Sequence, residues 1–247
     1  MAAVTLPQAD PGLGVFETIL VVAAEPVWLD AHLARMRGSL ERLYGATLPS
    51  EAAELARERA AGYPLGRLRV DAVPANGGVR LSASAAAVPA ALVFPPVGQG
   101  VELRSAPLPG GHGAHKWVDR SRLPVSEPGS LPLLLDEGGE VLEATRASVF
   151  AVCDGTLLTP RADGRILPGI TRAAALEVAR QEGLEVAERR LWLDDLLNAE
   201  ECFATGSVRG VEAVAAIDGA AVARGEITRL IGSRLAERCG LTLAPAR

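Results

Sequence analysis

The hexapeptide PPVGQG, residues 95–100, stands between two stretches that have the composition of strands. Its prolines lack a backbone N–H donor and its glycines have excess conformational freedom, so it disfavours both helix and strand. We therefore predict a linker here, between one domain at residues 1–94 and a second at residues 101–247. The 247 residues, 49% of them hydrophobic, are enough material for two cores.

The chain before the linker predicts a small α+β unit. A strand pair that begins in GLGVFETILVV, residues 12–22, precedes a helix that we expect Asp30 to cap and Gly45 to end. Ser50 is expected to cap a second helix. The sequence ANGG at residues 75–78 lies between two alternating runs and is typical of a β-hairpin turn.

The chain after the linker predicts a larger unit that is rich in strands. Glycine pairs and Asp-Gly pairs separate neighbouring runs, as in hairpins. The predicted strands are residues 101–108, 130–137, 140–146, 148–154 and 156–160. The predicted helices are residues 170–183, 193–201 and 225–240. The two units together indicate the α+β fold class.

Charge and hydropathy exclude several classes of partner. The net charge of −5 comes with no basic block, so we expect no nucleic-acid partner. No run of about 18 apolar residues is present, so we expect no membrane span. The N-terminal stretch MAAVTLPQADPG lacks the basic flank and the apolar run of a signal peptide, which predicts a cytoplasmic protein.

Cysteine and histidine usage argues against a metal centre. The three cysteines, Cys153, Cys202 and Cys239, are far apart and form no CxxC pair, so we expect reduced core thiols rather than disulfides or zinc ligands. His112 and His115 have the spacing of a metal pair but no third ligand is evident. We interpret both as loop residues, and no metal is predicted.

The segment GGHGAHKWVDRSRL, residues 110–123, contains the only lysine of the chain, Lys116, beside 24 arginines elsewhere. Arginine stays protonated, whereas a desolvated lysine can lose its proton and attack a carbonyl carbon. A Schiff base therefore requires lysine. The alternative is that Lys116 is a solvated surface residue without a chemical role, left as lysine in a chain whose composition has shifted toward arginine.

Four further residues are candidates for binding a charged group. Thr171 lies in the first turn of the helix that follows ILPG, where free N–H groups and a hydroxyl can bind phosphate. Arg35 and Ser207 can donate to the same kind of anion, and Glu143 can stabilise a protonated ring nitrogen. The alternatives are an ordinary helix start, a surface arginine, a turn serine and a solvated strand glutamate.

Seven motifs in a fixed order resemble the fold-type IV enzymes that depend on pyridoxal 5′-phosphate, the class IV aminotransferase family. This family includes branched-chain and D-amino-acid aminotransferases and 4-amino-4-deoxychorismate lyases. The resemblance covers residues 12–219. The motifs are GLGVFETI, LDAHLARM, HKWVDR, EVLEATRASVF, LTPRADGRILPGITR, LDDLLNAEECFATGS and VEAVAAIDG.

The resemblance implies a fold and a cofactor. It implies a small N-terminal α/β domain, a larger C-terminal β-rich α/β domain, pyridoxal 5′-phosphate at their interface, and a homodimer. It also implies roles for residues already singled out. Lys116 would form the Schiff base with the cofactor and Glu143 would face its pyridine nitrogen. The phosphate would be held by Arg35, Ile170, Thr171 and Ser207.

The resemblance also bears on the substrate, which is a small molecule. Branched-chain aminotransferases have a tyrosine five residues after the lysine, where this chain has Ser121. The lyases more often show K-x-x-N-R, and here the fourth position is Asp119. The resemblance therefore favours 4-amino-4-deoxychorismate lyase, which releases 4-aminobenzoate and pyruvate for a folate-type pathway. An aminotransferase for branched-chain or D-amino acids and a non-catalytic homologue are the alternatives.

Three residues are predicted to contact that substrate. Thr18, in FETI, could present a hydroxyl that assists the proton transfer, or it could be a core strand residue. Arg69 and Arg209 are candidates for binding a substrate carboxylate.

Overall fold

The computed structural model describes residues 9–223 and 225–243. The first eight residues of the MAAVTLPQADPG stretch therefore lie outside it, as do the last four of the predicted C-terminal domain. Within the described ranges the chain forms two β-sheets with helices packed on them, which confirms the α+β fold class. None of the helices in these ranges has the length and apolar character needed to cross a membrane.

The first sheet is four-stranded and antiparallel, with the order β2-β1-β3-β4. Two helices, α1 and α2, pack their apolar residues on one of its faces. The predicted hairpin is confirmed, since Ala75 pairs with Gly78 and Gly77 adopts a left-handed φ of 83° in the turn. The elements are β1 (Val15–Val22), β2 (Glu25–Pro26), α1 (Leu29–Tyr44), α2 (Ala52–Ala60), β3 (Leu65–Ala75) and β4 (Gly78–Ala87).

Both predicted N-caps of these helices are wrong. Asp30 lies inside the first turn of α1, because Trp28 takes a left-handed conformation with φ 51° and starts the helix early. There the Asp30 carboxylate can still interact favourably with the helix dipole. Ser50 precedes Glu51, the residue that flanks α2, and no side chain caps that helix. Gly45 ends α1 with a left-handed φ of 60°, as predicted.

The second sheet has ten strands, in the order β10-β9-β8-β12-β13-β5-β6-β7-β11, with β14 paired to β13. The five strands predicted for this unit are confirmed within two residues at each end, as are the helices predicted at residues 170–183 and 225–240. The helix predicted at residues 193–201 is too long: it ends at Leu197, because Glu201 pairs with Val152 and begins a strand. The strands are β5 (Val101–Pro107), β6 (Ser130–Leu135), β7 (Glu140–Ala144), β8 (Ser148–Cys153), β9 (Thr156–Pro160), β10 (Val186–Arg189), β11 (Leu191–Trp192), β12 (Glu201–Gly206), β13 (Gly210–Ile217) and β14 (Ala220–Ala221). The helices are α3 (Ile170–Gln181), α4 (Leu193–Leu197) and α5 (Glu226–Arg238).

Strand β1 belongs to the first sheet and is buried on both faces, because one face packs on the helices of that sheet and the other on the core of the second sheet. Ile19 packs with α1 and α2, whereas the next residue, Leu20, packs with the core that covers the second sheet. The loop before β6 pairs with the start of β1, since the Phe16 N–H donates to the Lys116 carbonyl at 2.9 Å. This pairing fixes the single lysine between the two sheets. Residues 95–100 connect the sheets and contain neither helix nor strand.

The start of α5 depends on one buried carboxylate. Glu201 accepts hydrogen bonds from the N–H of Ile227, and from both the N–H and the hydroxyl of Thr228, at 2.7 to 3.1 Å. We expect Glu201→Ala to lower the free energy of unfolding by about 3 kcal/mol, because it leaves buried donors without a partner. Urea denaturation measures this, with the exposed Glu226→Ala as control. A loss equal to that of the control would contradict this explanation.

Candidate active site

A cavity of about 610 Å³ opens between the two sheets. Its size suits a small organic cofactor together with a substrate. All nine residues that the sequence singled out for a site line this cavity, although 191 positions separate the first from the last. They are Thr18, Arg35, Arg69, Lys116, Glu143, Ile170, Thr171, Ser207 and Arg209. Their individual roles remain predictions.

The Lys116 amine has the environment of a nucleophile. Its Nζ lies 5.0 Å from the ring centroid of Phe16. Burial, together with the nearby guanidinium groups of Arg35 and Arg120, lowers the pKa of Lys116 to about 8, although Glu17 and Glu143 partly oppose this shift. About a tenth of this amine is therefore unprotonated at pH 7, far more than for an ordinary lysine.

This lowered pKa predicts a pH dependence of labelling. The rate at which an amine reagent modifies Lys116 should rise about tenfold per pH unit below pH 8 and level off above it, because only the free amine reacts. For an ordinary lysine, with a pKa of ~10.4, the rate of modification would continue to rise with pH up to pH 10. Peptide mass spectrometry after timed reductive methylation separates Lys116 from the chain's α-amino group. A rate still rising between pH 9 and 10 would contradict the low pKa.

Glu143 faces the same cavity from β7 and is buried, with 8% of its surface exposed. Burial raises the pKa of Glu143 to about 8, although the Leu167 N–H and the charges of Lys116 and Arg120 favour the ionised form. Its hydrogen bonds from Leu167 are long, at 3.3 and 3.4 Å. A cation or a protonated nitrogen placed beside this carboxyl group would form an ion pair with it.

The N-terminus of α3 has the donors of an anion site. The N–H groups of Ile170, Thr171 and Arg172 have no partner among the described residues. The buried hydroxyls of Thr171 and Thr205 also lack one within the same ranges. A Cβ on Gly169 would lie 2.8 Å from the Ser148 hydroxyl, so a larger residue here would require the serine side chain to shift. These donors fit a phosphate group.

Arg35 reaches this anion site from α1. Its guanidinium donates to both carboxylate oxygens of Glu17 at 2.6 and 2.8 Å, and to the Pro168 carbonyl at 2.8 Å. Glu17 also accepts a hydrogen bond from His32. The arginine is therefore fixed between β1 and the loop that leads into α3.

Arg69 and Arg209 are both paired with carboxylates of the chain. Arg69 donates to Asp71 at 2.6 to 2.9 Å and lies 3.9 Å above the Phe16 ring. Arg209 donates to Glu212 through two of its nitrogens. A substrate carboxylate would have to share these guanidinium groups with Asp71 and Glu212.

Six charged residues at the site were not singled out from the sequence. Four belong to the cavity wall, namely Arg67, Arg146, Arg172 and Glu212, and the other two are Arg120 and Glu17. Arg120 lines the cavity and donates to the Thr145 carbonyl. Glu17 is almost fully buried in β1. In the sequence, Arg120 could have been identified as the arginine of K-x-x-D-R. Glu17 could have been identified as a charged residue inside an apolar strand, followed along the chain by His32 and Arg35, which are three residues apart.

The two positions that departed from the family motifs, Asp119 and Ser121, do not line the cavity. Asp119 accepts hydrogen bonds from the N–H groups of Asp10 and Ser121, at 2.8 and 2.9 Å, through its two carboxylate oxygens. An asparagine has one side-chain oxygen and could accept only with that atom. Ser121 is exposed. Aspartate at this position therefore stabilises the loop and does not alter the cavity wall.

The histidines and cysteines form no metal site in the described part of the chain, where no cluster of three or more potential ligands occurs. His112 lines the cavity, and burial lowers its pKa to about 4, so it is neutral. His115 contacts the Ser39 hydroxyl at 2.9 Å. All three cysteines are free, and Cys202 and Cys239 are buried.

Comparison with known proteins gives consistent similarities. The family model described as amino-transferase class IV matches residues 14–103 and 129–217. A solved structure of 4-amino-4-deoxychorismate lyase from Pseudomonas aeruginosa has a TM-score of 0.78 and 26% identity over 96% of both chains. A pyridoxal-phosphate-bound hypothetical aminotransferase from Mycobacterium tuberculosis has a TM-score of 0.76 and 25% identity, over 97% of this chain and 95% of that one.

One curated relative shows stronger local similarity over a shorter region. A putative branched-chain-amino-acid aminotransferase of Methanocaldococcus jannaschii is 42% identical over 99 residues, which are 39% of this chain and 34% of that protein. The chain thus aligns with about a third of the length of that relative.

Proposed function

The chain belongs to the class IV aminotransferase family, and we propose that it is a lyase dependent on pyridoxal 5′-phosphate that converts 4-amino-4-deoxychorismate to 4-aminobenzoate and pyruvate. The supporting observation is the charge of the cavity wall. Within the described residues it contains seven arginines and two glutamates, Glu143 and Glu212. The arginines are Arg35, Arg67, Arg69, Arg120, Arg146, Arg172 and Arg209. Four of them, Arg35, Arg69, Arg172 and Arg209, already pair with carboxylates of the chain. The other three form no salt bridge within the described residues, so their charge is available to a substrate carboxylate.

The chemistry of the substrates explains why this charge favours the lyase. 4-Amino-4-deoxychorismate carries two carboxylates, one on its ring and one on its enolpyruvyl group. A branched-chain amino acid carries one carboxylate and an apolar side chain, for which a wall rich in arginine is unsuitable. Guanidinium groups bind carboxylates by paired hydrogen bonds, so several of them suit a dicarboxylate.

The residues of the cavity fit the cofactor. Pyridoxal 5′-phosphate, when bound, supplies an aldehyde that captures an amine and a conjugated ring that accepts an electron pair. Lys116 is the amine that would hold it. The unpartnered donors at the start of α3, with Arg35, would bind its phosphate, and Glu143 would form the ion pair with its ring nitrogen.

The same residues would carry the proton transfer. The Lys116 amine, when it is not bonded to the cofactor, would be the base that takes the proton from the substrate ring carbon that bears the amino nitrogen. Thr18 lines the cavity and would assist this transfer with its hydroxyl. Arg69 or Arg209 would orient a carboxylate of the substrate. Loss of pyruvate then aromatises the ring.

The experiment that tests the proposal compares two reactions of the purified protein loaded with cofactor. We expect release of 4-aminobenzoate from 4-amino-4-deoxychorismate without any keto acid, and little amino transfer from leucine or D-alanine to 2-oxoglutarate. Rapid transamination without release of 4-aminobenzoate would refute the lyase.

The second candidate is an aminotransferase for branched-chain or D-amino acids. The local identity with the Methanocaldococcus jannaschii relative favours it. It would use the same Lys116, Glu143 and phosphate site. A non-catalytic homologue is the third candidate, and a protein that takes up no cofactor would support it. We also propose a cytoplasmic location, as the sequence predicted, and a homodimer, as the family resemblance implies. Sedimentation equilibrium measures the oligomer.

A further inference from the structure

Glu17 is a carboxylate in an unusual place. It lies in β1, on the face that packs against α1, and only 1% of its surface is exposed. An ionised carboxylate buried in this way is strongly unfavourable unless other groups pair with it. Its neighbours on the same face, Val15 and Ile19, are apolar core residues. An apolar residue would fit this position, so packing of the core does not explain the charge. We therefore look for a functional role of the Glu17 carboxylate.

The charge of Glu17 is matched by two residues of α1. His32 contacts Glu17 Oε2 through Nδ1 at 2.7 Å, and Arg35 donates through Nε and Nη2 at 2.8 and 2.6 Å. Burial raises the pKa of Glu17, but the hydrogen bonds from His32 and Arg35 outweigh it and bring the pKa to about 2. Because an ionised carboxylate only accepts, His32 must carry its proton on Nδ1. The spacing of three residues puts both donors on one helix face.

The contacts of Arg35 leave part of its guanidinium free for a ligand. The group has five N–H donors. Two donate to Glu17 and one, on Nη1, donates to the Pro168 carbonyl, so one donor remains on each terminal nitrogen. Pro168 lies two residues before α3, whose first N–H groups are also free. The remaining donors of Arg35 thus lie beside the proposed phosphate site.

We propose that Glu17, supported by His32, is a positioning residue that holds Arg35 in the one orientation in which its two remaining donors bind the cofactor phosphate. The inference rests on the proposed binding of pyridoxal 5′-phosphate and on the proposed role of Arg35. It does not depend on which substrate the enzyme uses. Glu17 itself does not line the cavity.

The test measures the dissociation constants of pyridoxal 5′-phosphate and of pyridoxal, which lacks the phosphate, for the full-length apoprotein. We expect Glu17→Gln to weaken binding of the phosphorylated cofactor by about 30-fold, the size of a lost hydrogen bond to a charged group, and that of pyridoxal by less than ~3-fold. Arg35→Gln should show the same selectivity. In the Arg35→Gln background, Glu17→Gln should add no further loss.

Several outcomes would overturn the inference. Equal weakening of both ligands by Glu17→Gln would show a merely structural role, and so would an additive loss in the double variant. If Glu17→Gln does not fold, Glu17→Asp replaces it. The aspartate keeps the charge but is too short to reach both partners, so it should also weaken binding of pyridoxal 5′-phosphate more than that of pyridoxal, and equal weakening would overturn the inference. No substrate is added, so a protein that binds the cofactor but releases no 4-aminobenzoate would refute the lyase and leave this inference intact.

Discussion

Lys116→Arg should lower turnover of 4-amino-4-deoxychorismate by about a thousandfold or more, because the variant keeps a positive charge but loses the amine that attacks the aldehyde and takes the proton. The yellow colour of the loaded protein should disappear with it. The cavity should remain, since the Lys116 contact to β1 runs through its backbone carbonyl. Steady-state assays and absorbance spectra measure both effects.

A second lysine elsewhere in the chain controls this result. Arg80 is exposed on β4. Arg80→Lys should leave turnover and colour unchanged, and the double variant Arg80→Lys/Lys116→Arg should be as inactive as Lys116→Arg alone. Turnover within tenfold of the wild type in Lys116→Arg would show that the amine is not the nucleophile.

Glu143→Gln should lower turnover by about 100-fold. The amide has nearly the same shape as the carboxyl group but cannot become an anion, so it cannot hold a ring nitrogen in its protonated form. The pKa of Glu143 is raised to about 8 because burial removes the water that would solvate its ionised carboxylate. It needs a cationic partner to ionise, and the proposed cofactor provides one.

Two variants give Glu143→Gln its controls. Glu143→Asp keeps the anion and should retain more activity than Glu143→Gln, although it is shorter. Glu137→Gln removes an exposed carboxylate away from the cavity and should have no effect. If Glu143→Gln matched the wild type in kcat, the ion pair would have no part in the reaction.

Strand and helix periodicity predicted most of the fold. Runs such as SVFAVC and TLLTP are short, rich in apolar and β-branched residues, and end at Asp-Gly or proline, so their bounds could be placed within two residues. The caps of α1 and α2 could not be placed, because a left-handed Trp28 has no sequence signal and a serine near a helix start need not cap it.

The site was predictable only in part, for a physical reason. The order of the motifs points to residues such as Lys116 and Glu143. For these residues the type of side chain is enough to indicate the chemistry. Glu17 was not identified as a site residue, because its role depends on contacts with residues that are far away in the sequence. His32 and Arg35 are 15 and 18 positions from it, and they contact it only when β1 packs on α1. Likewise the pairing of Arg69 with Asp71 and of Arg209 with Glu212 appears only in three dimensions.

The most direct test of the account treats the unmodified, cofactor-loaded protein with borohydride, digests it and maps the pyridoxyl group by mass spectrometry. The account predicts one adduct, on Lys116, in the peptide that contains His115 and Trp117. Recovery of that peptide without the adduct, or an adduct elsewhere in the chain, would contradict it.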